Sequence, residues 1–309
     1  MKLIFLGTPD FAVASLSALI KSRHEVLAVV TQPDKAVGRK AILTPSPVKV
    51  CAEQNGIKVL QYNKIRLEGV SDLKALSPDV MVTCAFGQIL SQEIIDVAPH
   101  GVVNVHGSLL PKYRGAAPVQ YAVLNGDRET GITIMQTEAG IDCGDILAVE
   151  KTFVGENETA GELFDRLSII GARLIVETLD RIEKGDITPV KQDESKATYV
   201  KMIKKSDAKI DFSLPAAKIK NLVYGMNPWP IAWTTLNGKI LKIYKCEILH
   251  GDFKGDVGEV IFADTDRGLT VKCGFGAIKI TELQIEGGKR LPAYEFLLGR
   301  KIEKGDVLI

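Results

Sequence analysis

The chain has 309 residues and a net charge of +1, and with 46% hydrophobic and 25% charged residues it has the composition of a globular protein with one or two cores. No run approaches the roughly 20 consecutive apolar residues of a membrane-spanning helix, and the five scattered cysteines form no CxxC pair. These features exclude a membrane-spanning protein, a disulfide-stapled domain and a cysteine-based zinc site, and they favour a reduced, cytoplasmic protein.

The first fifty residues predict a strand, a helix and a second strand, followed by a long polar loop. An apolar run from Lys2 to Leu6 ends at Gly7, residues 11–21 have helical spacing, and residues 26–31 form a second apolar run. Residues 32–44 form a loop of a length that is usually functional or disordered in a compact domain. Ser46, with proline at the next position, is typical of a helix start.

The same alternation of strands and helices continues to about residue 189. Apolar runs at 79–84, 101–105, 130–135 and 146–153 predict strands, and residues 159–184 predict a long closing helix. This rhythm is typical of an α/β domain with a doubly wound, mostly parallel and Rossmann-like sheet. We expect this domain to comprise residues 1–189, followed by a polar, lysine-rich linker at 190–206.

The last hundred residues have a different pattern. Short β-type runs near 240–244, 258–262, 269–273 and 277–280 are separated by Gly and Asp turns, which predicts a small β-barrel, of the OB-like kind, at residues 207–309. Residues 1–200 carry a net charge of −4 and residues 201–309 carry +5. This excess of positive charge is compatible with a polyanionic partner, although an ordinary solvated surface explains it as well.

The strongest candidate for chemistry lies where a predicted strand ends. Asn104 and His106 are two positions apart, so on an extended strand both side chains project from one face. The carboxyl ends of parallel strands are where open α/β sheets bind ligands. A lone histidine is more often a hydrogen-bonded structural residue, but two polar residues ending an apolar strand before a Gly- and Pro-rich loop favour a functional site.

A second polar loop offers three carboxylates between two predicted strands. Glu138, Asp142 and Asp145 lie among glycines in residues 137–145, and spacing alone does not select one of them. A glycine-rich turn with solvated acids is an equally good interpretation. No metal-ligand spacing connects these acids to a histidine, so we expect no metal.

At these loops the sequence resembles the folate-dependent formyltransferases, and within them the members that act on methionyl-transfer RNA. The resemblance spans both halves of the chain and is most specific at residues 104–118. The matching segments are Gly7-Thr-Pro-Asp-Phe11, Thr31-Gln-Pro-Asp34, Pro45-Ser-Pro-Val-Lys49, Cys84-Ala-Phe-Gly-Gln-Ile-Leu90, Asn104-Val-His-Gly-Ser-Leu-Leu-Pro-Lys-Tyr-Arg-Gly-Ala-Ala-Pro118, Gly140-Ile-Asp-Cys-Gly-Asp145 and Asn227-Pro-Trp-Pro230.

The resemblance implies an enzyme that transfers the formyl group of 10-formyltetrahydrofolate to the amine of methionyl-initiator-tRNA for translation initiation. It implies that Asn104, His106 and Asp142 are catalytic, and that the basic loop residues Arg39 and Lys40 contact the tRNA. It further implies folate contacts from two loops and a second domain that helps to hold the tRNA. The implied folate-binding residues are Ser108, Leu109, Leu110, Pro111, Phe86, Gly87, Gln88 and Leu90.

Several alternatives remain open at this stage. A nicotinamide-dependent oxidoreductase fits the βαβ opening, but the turn after the first strand has one glycine where the dinucleotide fingerprint has three, and Pro9 lacks an N–H. A non-catalytic nucleic-acid-binding protein leaves the Asn104, His106 and Asp142 set unexplained. Formyltransferases acting on glycinamide ribonucleotide or on amino sugars share these three residues, but the match beyond residue 200 favours transfer RNA. We expect a monomer.

The two tryptophans lie close together in the sequence just after a predicted helix. Trp229 and Trp233 could stack on nucleotides, although packing in the core of the barrel is the more common fate of such residues.

Overall fold

The computed structural model describes residues 1–38, 41–299 and 302–309. Arg39 and Lys40, which we predict to contact RNA, lie outside the described residues. The described chain divides into two compact units. The first unit comprises residues 1–118, 130–153 and 164–200, and the second comprises residues 119–129, 154–163 and 201–309.

The strands are, in chain order, β1 (Lys2–Gly7), β2 (Glu25–Thr31), β3 (Lys35–Val37), β4 (Ile42–Thr44), β5 (Val59–Gln61), β6 (Val80–Cys84), β7 (Val102–His106), β8 (Arg114–Gly115), β9 (Glu129–Gln136), β10 (Ile146–Phe153), β11 (Tyr199–Val200), β12 (Ala232–Leu236), β13 (Lys239–Leu249), β14 (Val260–Asp264), β15 (Gly268–Lys272), β16 (Ala277–Ile285) and β17 (Leu291–Pro292). The helices are α1 (Asp10–Lys21), α2 (Pro47–Gln54), α3 (Ile65–Glu68), α4 (Val70–Leu76), α5 (Gln92–Ile95), α6 (Pro118–Asn125), α7 (Ala160–Lys184), α8 (Ala216–Gly225) and α9 (Ala293–Leu298).

The first unit is built on a seven-stranded sheet in the order β10-β9-β7-β6-β1-β2-β5. The pairs from β7 to β5 are parallel, whereas β9 runs antiparallel to β7. All five residues of β6 and five of the six residues of β1 are buried. Such continuous apolar strands form parallel sheets that are covered on both faces. The prediction of a doubly wound, mostly parallel sheet is therefore confirmed.

Helix α2 begins as the sequence predicts. The Ser46 hydroxyl accepts a hydrogen bond from the backbone N–H of Lys49 at 3.1 Å, and Pro47 occupies the first helical position. This cap satisfies a backbone donor that the helix itself cannot pair. It fixes the end of the long loop that contains β3 and β4.

The second unit carries a six-stranded antiparallel sheet. Five of its strands have the order β12-β13-β16-β15-β14, and the sixth, β17, pairs with β16. The last residues of the chain connect its two edges. Ile309 exchanges backbone hydrogen bonds with Thr235 on β12, and the N–H of Val260 on β14 donates to Asp306. This closure confirms the predicted small barrel. Trp229 is 52% exposed and Trp233 is half-buried, so neither tryptophan is buried in the core.

The predicted linker has structure of its own. Residues 190–200 belong to the first unit, where Val190 pairs with Ile146 and β11 pairs in parallel with β8. The polar composition of this stretch arises because its side chains bind loops of the first unit, as described below. The domain boundaries at 189 and 207 stay a prediction.

No described helix is long and apolar enough to cross a lipid bilayer.

Buried His24 is expected to make stability depend on pH. Burial lowers the pKa of His24 below its ordinary value of about 6.5, helped by the Met1 ammonium group 3.2 Å from Nδ1, and together these outweigh the attraction of Asp180. The folded state therefore keeps the ring neutral at a pH at which the unfolded chain binds a proton. The free energy of unfolding should fall as the pH drops below about 7, by at most about 1.4 kcal/mol per pH unit, and level off below the lowered pKa.

Urea unfolding between pH 7.5 and 5.5 measures this effect. His24→Gln should flatten the pH dependence, whereas the matched change His250→Gln at an exposed histidine should leave it as in the wild type. Equal slopes in the wild type and His24→Gln would contradict the assignment.

Candidate active site

Asn104 and His106 project from β7 at the carboxyl end of the parallel part of the sheet, as predicted. Asn104 pairs in register with Thr83 on the neighbouring strand β6, and the Thr83 hydroxyl donates to Oδ1 of Asn104 at 2.9 Å. The carboxamide is thereby oriented, since its oxygen is engaged. Its Nδ2 donates to no residue that the structure describes, which leaves an N–H donor fixed in direction and available to a bound molecule.

His106 is buried, with 5% of its surface exposed, and each of its ring nitrogen atoms faces an oxygen atom. Nε2 lies 3.0 Å from the backbone oxygen of Tyr113. Because a carbonyl oxygen only accepts, Nε2 carries a hydrogen. Nδ1 faces Oδ2 of Asp142 at 3.6 Å. Nδ1 is therefore the ring atom that can gain or lose a proton at this site.

Asp142 reaches His106 from a loop that has to turn back. Gln136 at the end of β9 pairs with Val103, three positions before His106 on β7, so the loop starts on the amino-terminal side of the histidine. Asp142 adopts a left-handed backbone conformation with φ of 47°, which aspartate tolerates better than most residues. Its Oδ2 accepts the backbone N–H of Gly115 at 2.8 Å.

Of the three acids that the sequence left open, Asp142 is the one paired with His106. Glu138 is exposed and Asp145 is half-buried, and neither forms an ion pair with His106.

Two glycines allow the loops around Asp142 to approach closely. A Cβ on Gly144 would lie 1.9 Å from the backbone oxygen of Gln136. A Cβ on Gly115 would lie 2.4 Å from the backbone oxygen of Val200, at a φ of 112° that disfavours other residues. These positions bring the three chain segments together.

The loop after β7 is held by its own buried polar groups. The Ser108 hydroxyl donates to the Lys112 carbonyl at 2.6 Å, and the Thr133 hydroxyl donates to the Ser108 carbonyl at 2.7 Å and accepts from the N–H of Leu110 at 3.1 Å. Ser108 is completely buried and clamps the loop, and its expected contact with folate stays a prediction. Leu110 is 7% exposed, whereas Leu109 and Pro111 are half-buried.

In the loop after β6, some side chains are buried or hydrogen-bonded within the protein and others are exposed. The Phe86 side chain belongs to the hydrophobic core, and its expected contact with folate stays a prediction. Gln88 accepts from the N–H of Ile65 and donates to the carbonyl of Tyr62, both at 2.8 Å. Leu90 packs against the core, Gly87 is exposed, and Ile89 is 76% exposed. Within this segment Ile89 therefore offers the most accessible apolar surface.

Arg114 is a buried cation beside the loop of Asp142, and sequence reasoning gave it no role. The Arg114 side chain is 1% exposed and donates to Gln192, Glu194 and Tyr199. Its hydrogen bonds to the Glu194 carboxylate raise the pKa of Arg114, and Arg114 in turn lowers the pKa of Glu194. The sequence offered one indication of its importance, since Arg114 lies within residues 104–118, the most specific part of the family resemblance. Its partners, however, lie in the stretch that the sequence predicts to be a linker.

One group of three potential metal ligands occurs among the described residues, away from this site at the start of β2. It comprises His24, Asp180 and Glu183. Arg23 pairs with both carboxylates, and the Met1 ammonium group donates to Glu183. These positive charges already balance the two acids, so the cluster does not favour an added cation. The expectation that the protein needs no metal stays a prediction.

Comparisons with known proteins show which family this chain resembles. The sequence model of the family described as formyl transferase matches residues 1–179, and that of the formyl transferase C-terminal domain matches residues 202–301. A protein named methionyl-tRNA formyltransferase from Geobacter metallireducens (strain ATCC 53774 / DSM 7210 / GS-15) is 48% identical over 306 residues, which cover 99% of this chain and 97% of that protein.

Solved structures show the same fold. An N-formyltransferase from Helicobacter canadensis, in complex with folinic acid and dTDP-3-aminofucose, superposes with a TM-score of 0.68 at 22% identity and covers 91% of this chain and 99% of its own. Glycinamide ribonucleotide transformylase 1 from Symbiobacterium toebii superposes with a TM-score of 0.53 at 18% identity, covering 62% of this chain and 94% of its own. Given the family match over residues 1–179 and the 48% identity along nearly the whole length, this chain belongs to the formyl transferase family.

Proposed function

We propose that the protein transfers the formyl group of 10-formyltetrahydrofolate to the free amino group of methionyl-initiator-tRNA and so produces N-formylmethionyl-tRNA for translation initiation. The observation that carries the proposal is the meeting of Asn104, His106 and Asp142 at the end of β7, in a member of the formyl transferase family. The name of the relative at 48% identity supports this choice of acceptor.

The reaction explains why an amide and an imidazole lie together. A formamide is a poor electrophile, and attack by an amine places negative charge on the formyl oxygen. The Nδ2 hydrogen of Asn104 is oriented to stabilise that charge, because Thr83 already holds the amide oxygen. One such donor typically contributes about 3 kcal/mol to transition-state stabilisation. A protonated His106 would add a second donor from Nδ1.

Asp142 and His106 provide the proton transfers that the exchange of bonds requires. As the amine nitrogen bonds to the formyl carbon it must lose a proton, which Asp142 accepts directly or through water. The bond from the formyl carbon to N10 then breaks, and N10 takes up a proton. Nδ1 of His106, which faces Asp142 at 3.6 Å, connects the two transfers. The products are the formylated amine and tetrahydrofolate, so atoms and charge balance.

Two loops of the first unit are suited to bind the folate. The loop after β6 presents the exposed Gly87 and Ile89, and the loop after β7 presents the half-buried Leu109 and Pro111. A pterin has apolar faces, which match the exposed apolar side chains of these loops. The structure from Helicobacter canadensis, whose description includes folinic acid, supports a folate-type donor for this fold.

The acceptor is proposed from charge and from the loop between β2 and α2. Residues 201–309 carry a net charge of +5, which favours binding of a polyanion such as tRNA. In the loop, β3 and β4 form a hairpin that leaves Ile42 and Leu43 exposed. We expect Arg39 and Lys40, between these two strands, to contact the tRNA backbone, and we expect the enzyme to act as a monomer.

A comparison of acceptors tests the proposal. The purified protein is mixed with 10-formyltetrahydrofolate and, in parallel, with methionyl-initiator-tRNA, glycinamide ribonucleotide or a dTDP-amino sugar, and formylated products are identified by mass spectrometry. We expect N-formylmethionyl-tRNA to form by far the fastest. Faster formylation of either small molecule would overturn the choice of acceptor, and no formylation of any of the three would overturn the proposed reaction.

A further inference from the structure

The position of Asp142 needs an explanation that its own loop does not give. Asn104 and His106 are fixed by the sheet, but the loop from Gln136 to Ile146 starts on the amino-terminal side of His106 and has to return to it. Asp142 and Cys143 are half-buried and lie outside regular structure. A carboxylate that is to act on protons has to be held within a few tenths of an ångström, so other groups must hold this loop.

Gln192 holds the backbone of that loop. Its Nε2 donates one hydrogen to the carbonyl of Asp142 at 2.9 Å and the other to the carbonyl of Gly144 at 2.8 Å. Both donors of a single amide are therefore used on two carbonyls that flank Cys143. This arrangement fixes the direction of the backbone at Asp142, from which its carboxylate projects.

Arg114 fixes the orientation of the Gln192 amide. The Nε and Nη2 atoms of Arg114 donate to Oε1 of Gln192, at 3.1 and 2.8 Å respectively. A guanidinium only donates, so the amide oxygen must face Arg114 and the NH2 group must face the loop. The remaining donors of Arg114 bind Glu194, at 2.6 and 2.9 Å, and the Tyr199 hydroxyl at 3.0 Å. The buried charge is thereby fully paired.

The hydrogen bonds form a closed ring around Asp142. The Asp142 carboxylate accepts the N–H of Gly115, Gly115 follows Arg114 in the chain, Arg114 binds Gln192, and Gln192 binds the Asp142 carbonyl. Arg114 and Gly115 are themselves fixed, since β8 pairs with β11. The side chain of Asp142 is thus tied to Gly115 and its main chain to Gln192, and Arg114 connects these two residues.

We infer that Arg114 and Gln192 are positioning residues for the reaction, which hold the Asp142 carboxylate in reach of His106 and of the attacking amine. The inference rests on the proposed function. It gives a positioning role to the stretch after residue 189, whose composition alone suggests a linker. Neither residue is expected to touch the substrates.

Gln192→Glu is the sharpest variant. A glutamate still accepts from Arg114 but has no NH2 group for the two carbonyls, so it releases the loop while keeping the buried cation paired. A displacement of about 1 Å is expected to lower kcat by about 10- to 100-fold, with the KM for 10-formyltetrahydrofolate changed by no more than about twofold. Gln192→Met, which removes the donors without adding charge, should give a loss of the same order.

A matched control and a double-variant comparison separate positioning from general destabilisation. Gln284→Glu makes the same substitution at a half-buried glutamine of the second unit that donates to the Gly288 carbonyl, and it should leave kcat unchanged at saturating acceptor. In an Asp142→Ala background, Gln192→Glu should cause no further loss, because the residue acts through Asp142. Hydrogen exchange of the backbone amides of residues 140–145 should become faster in Gln192→Glu whether or not activity is measured.

The outcomes are distinct. If the wild type formylates no acceptor, the proposed function fails, and the exchange measurement still tests the positioning of the loop. The inference is overturned if Gln192→Glu keeps more than about half of the wild-type kcat, or if it causes the same loss with and without Asp142. Unchanged hydrogen exchange in the loop also overturns it.

Discussion

Replacing His106 or Asp142 with alanine is expected to lower kcat by about 10²- to 10⁴-fold while tetrahydrofolate still binds. Each side chain is proposed to move a proton in the transition state, and general acid–base groups typically contribute within this range. Their side chains contact each other and the loop after β7, rather than the exposed loop after β6. Single-turnover formylation measures the rate, and isothermal titration calorimetry measures the affinity for tetrahydrofolate.

His100→Ala is the matched control, since His100 is an exposed histidine of the same unit that precedes β7. It should leave both the rate and the affinity at wild-type values. If the His106→Ala or Asp142→Ala protein turned over within about tenfold of the wild type, the proton-transfer assignment for that residue would be wrong.

Asn104→Asp is expected to lower kcat by about 10²- to 10³-fold, which corresponds to about 3 kcal/mol. Aspartate has almost the same shape and still accepts the Thr83 hydroxyl, but an oxygen replaces the donating Nδ2. A negative charge beside the formyl oxygen then opposes the charge that forms there. The KM for the tRNA should change little, because this group is proposed to act in the transition state.

Asn55→Asp controls for the chemical change itself. The Asn55 amide donates to the Cys51 carbonyl at the end of α2, where a modest loss of stability and a normal kcat are expected. A fully active Asn104→Asp enzyme would show that the amide donor is not needed.

Much of the fold followed from local patterns in the sequence. The strands β1 and β6 are nearly continuous apolar runs because parallel strands are covered on both faces, and Ser46 and Pro47 predict the start of α2. The convergence of Asn104 and His106 required only the two-residue period of a strand. Each of these inferences depended on residues that are close in sequence.

The parts that local patterns did not predict depend on contacts between distant residues. Residue spacing did not select Asp142 over Glu138 and Asp145, because it carries no information on how the loop folds back onto His106; only the family resemblance selected it. The polar composition of residues 190–200 suggested a linker, yet Gln192 and Glu194 are partners of Arg114, some 80 positions earlier. Burial of Ser108 and Phe86 likewise became visible only in the packed loops.

Gly7, the last residue of β1, illustrates why the nicotinamide alternative failed. A Cβ on Gly7 would lie 2.7 Å from Cε1 of Phe5 and 2.8 Å from Cβ of Ala12. This glycine is therefore required by close packing of β1 against α1. Pro9 serves as the N-cap residue of α1 without a side-chain hydrogen bond, a position at which a dinucleotide-binding turn needs free N–H groups.

The central claim is that negative charge forms on the formyl oxygen beside the amide of Asn104 and the ring of His106. A folate analogue whose formyl carbon is tetrahedral and carries a hydroxyl group mimics that state. The wild type should bind it at least about 100-fold more tightly than tetrahydrofolate, and Asn104→Asp should lose most of that preference. Equal affinities for the two compounds in the wild type, or an undiminished preference in Asn104→Asp, would contradict the claim.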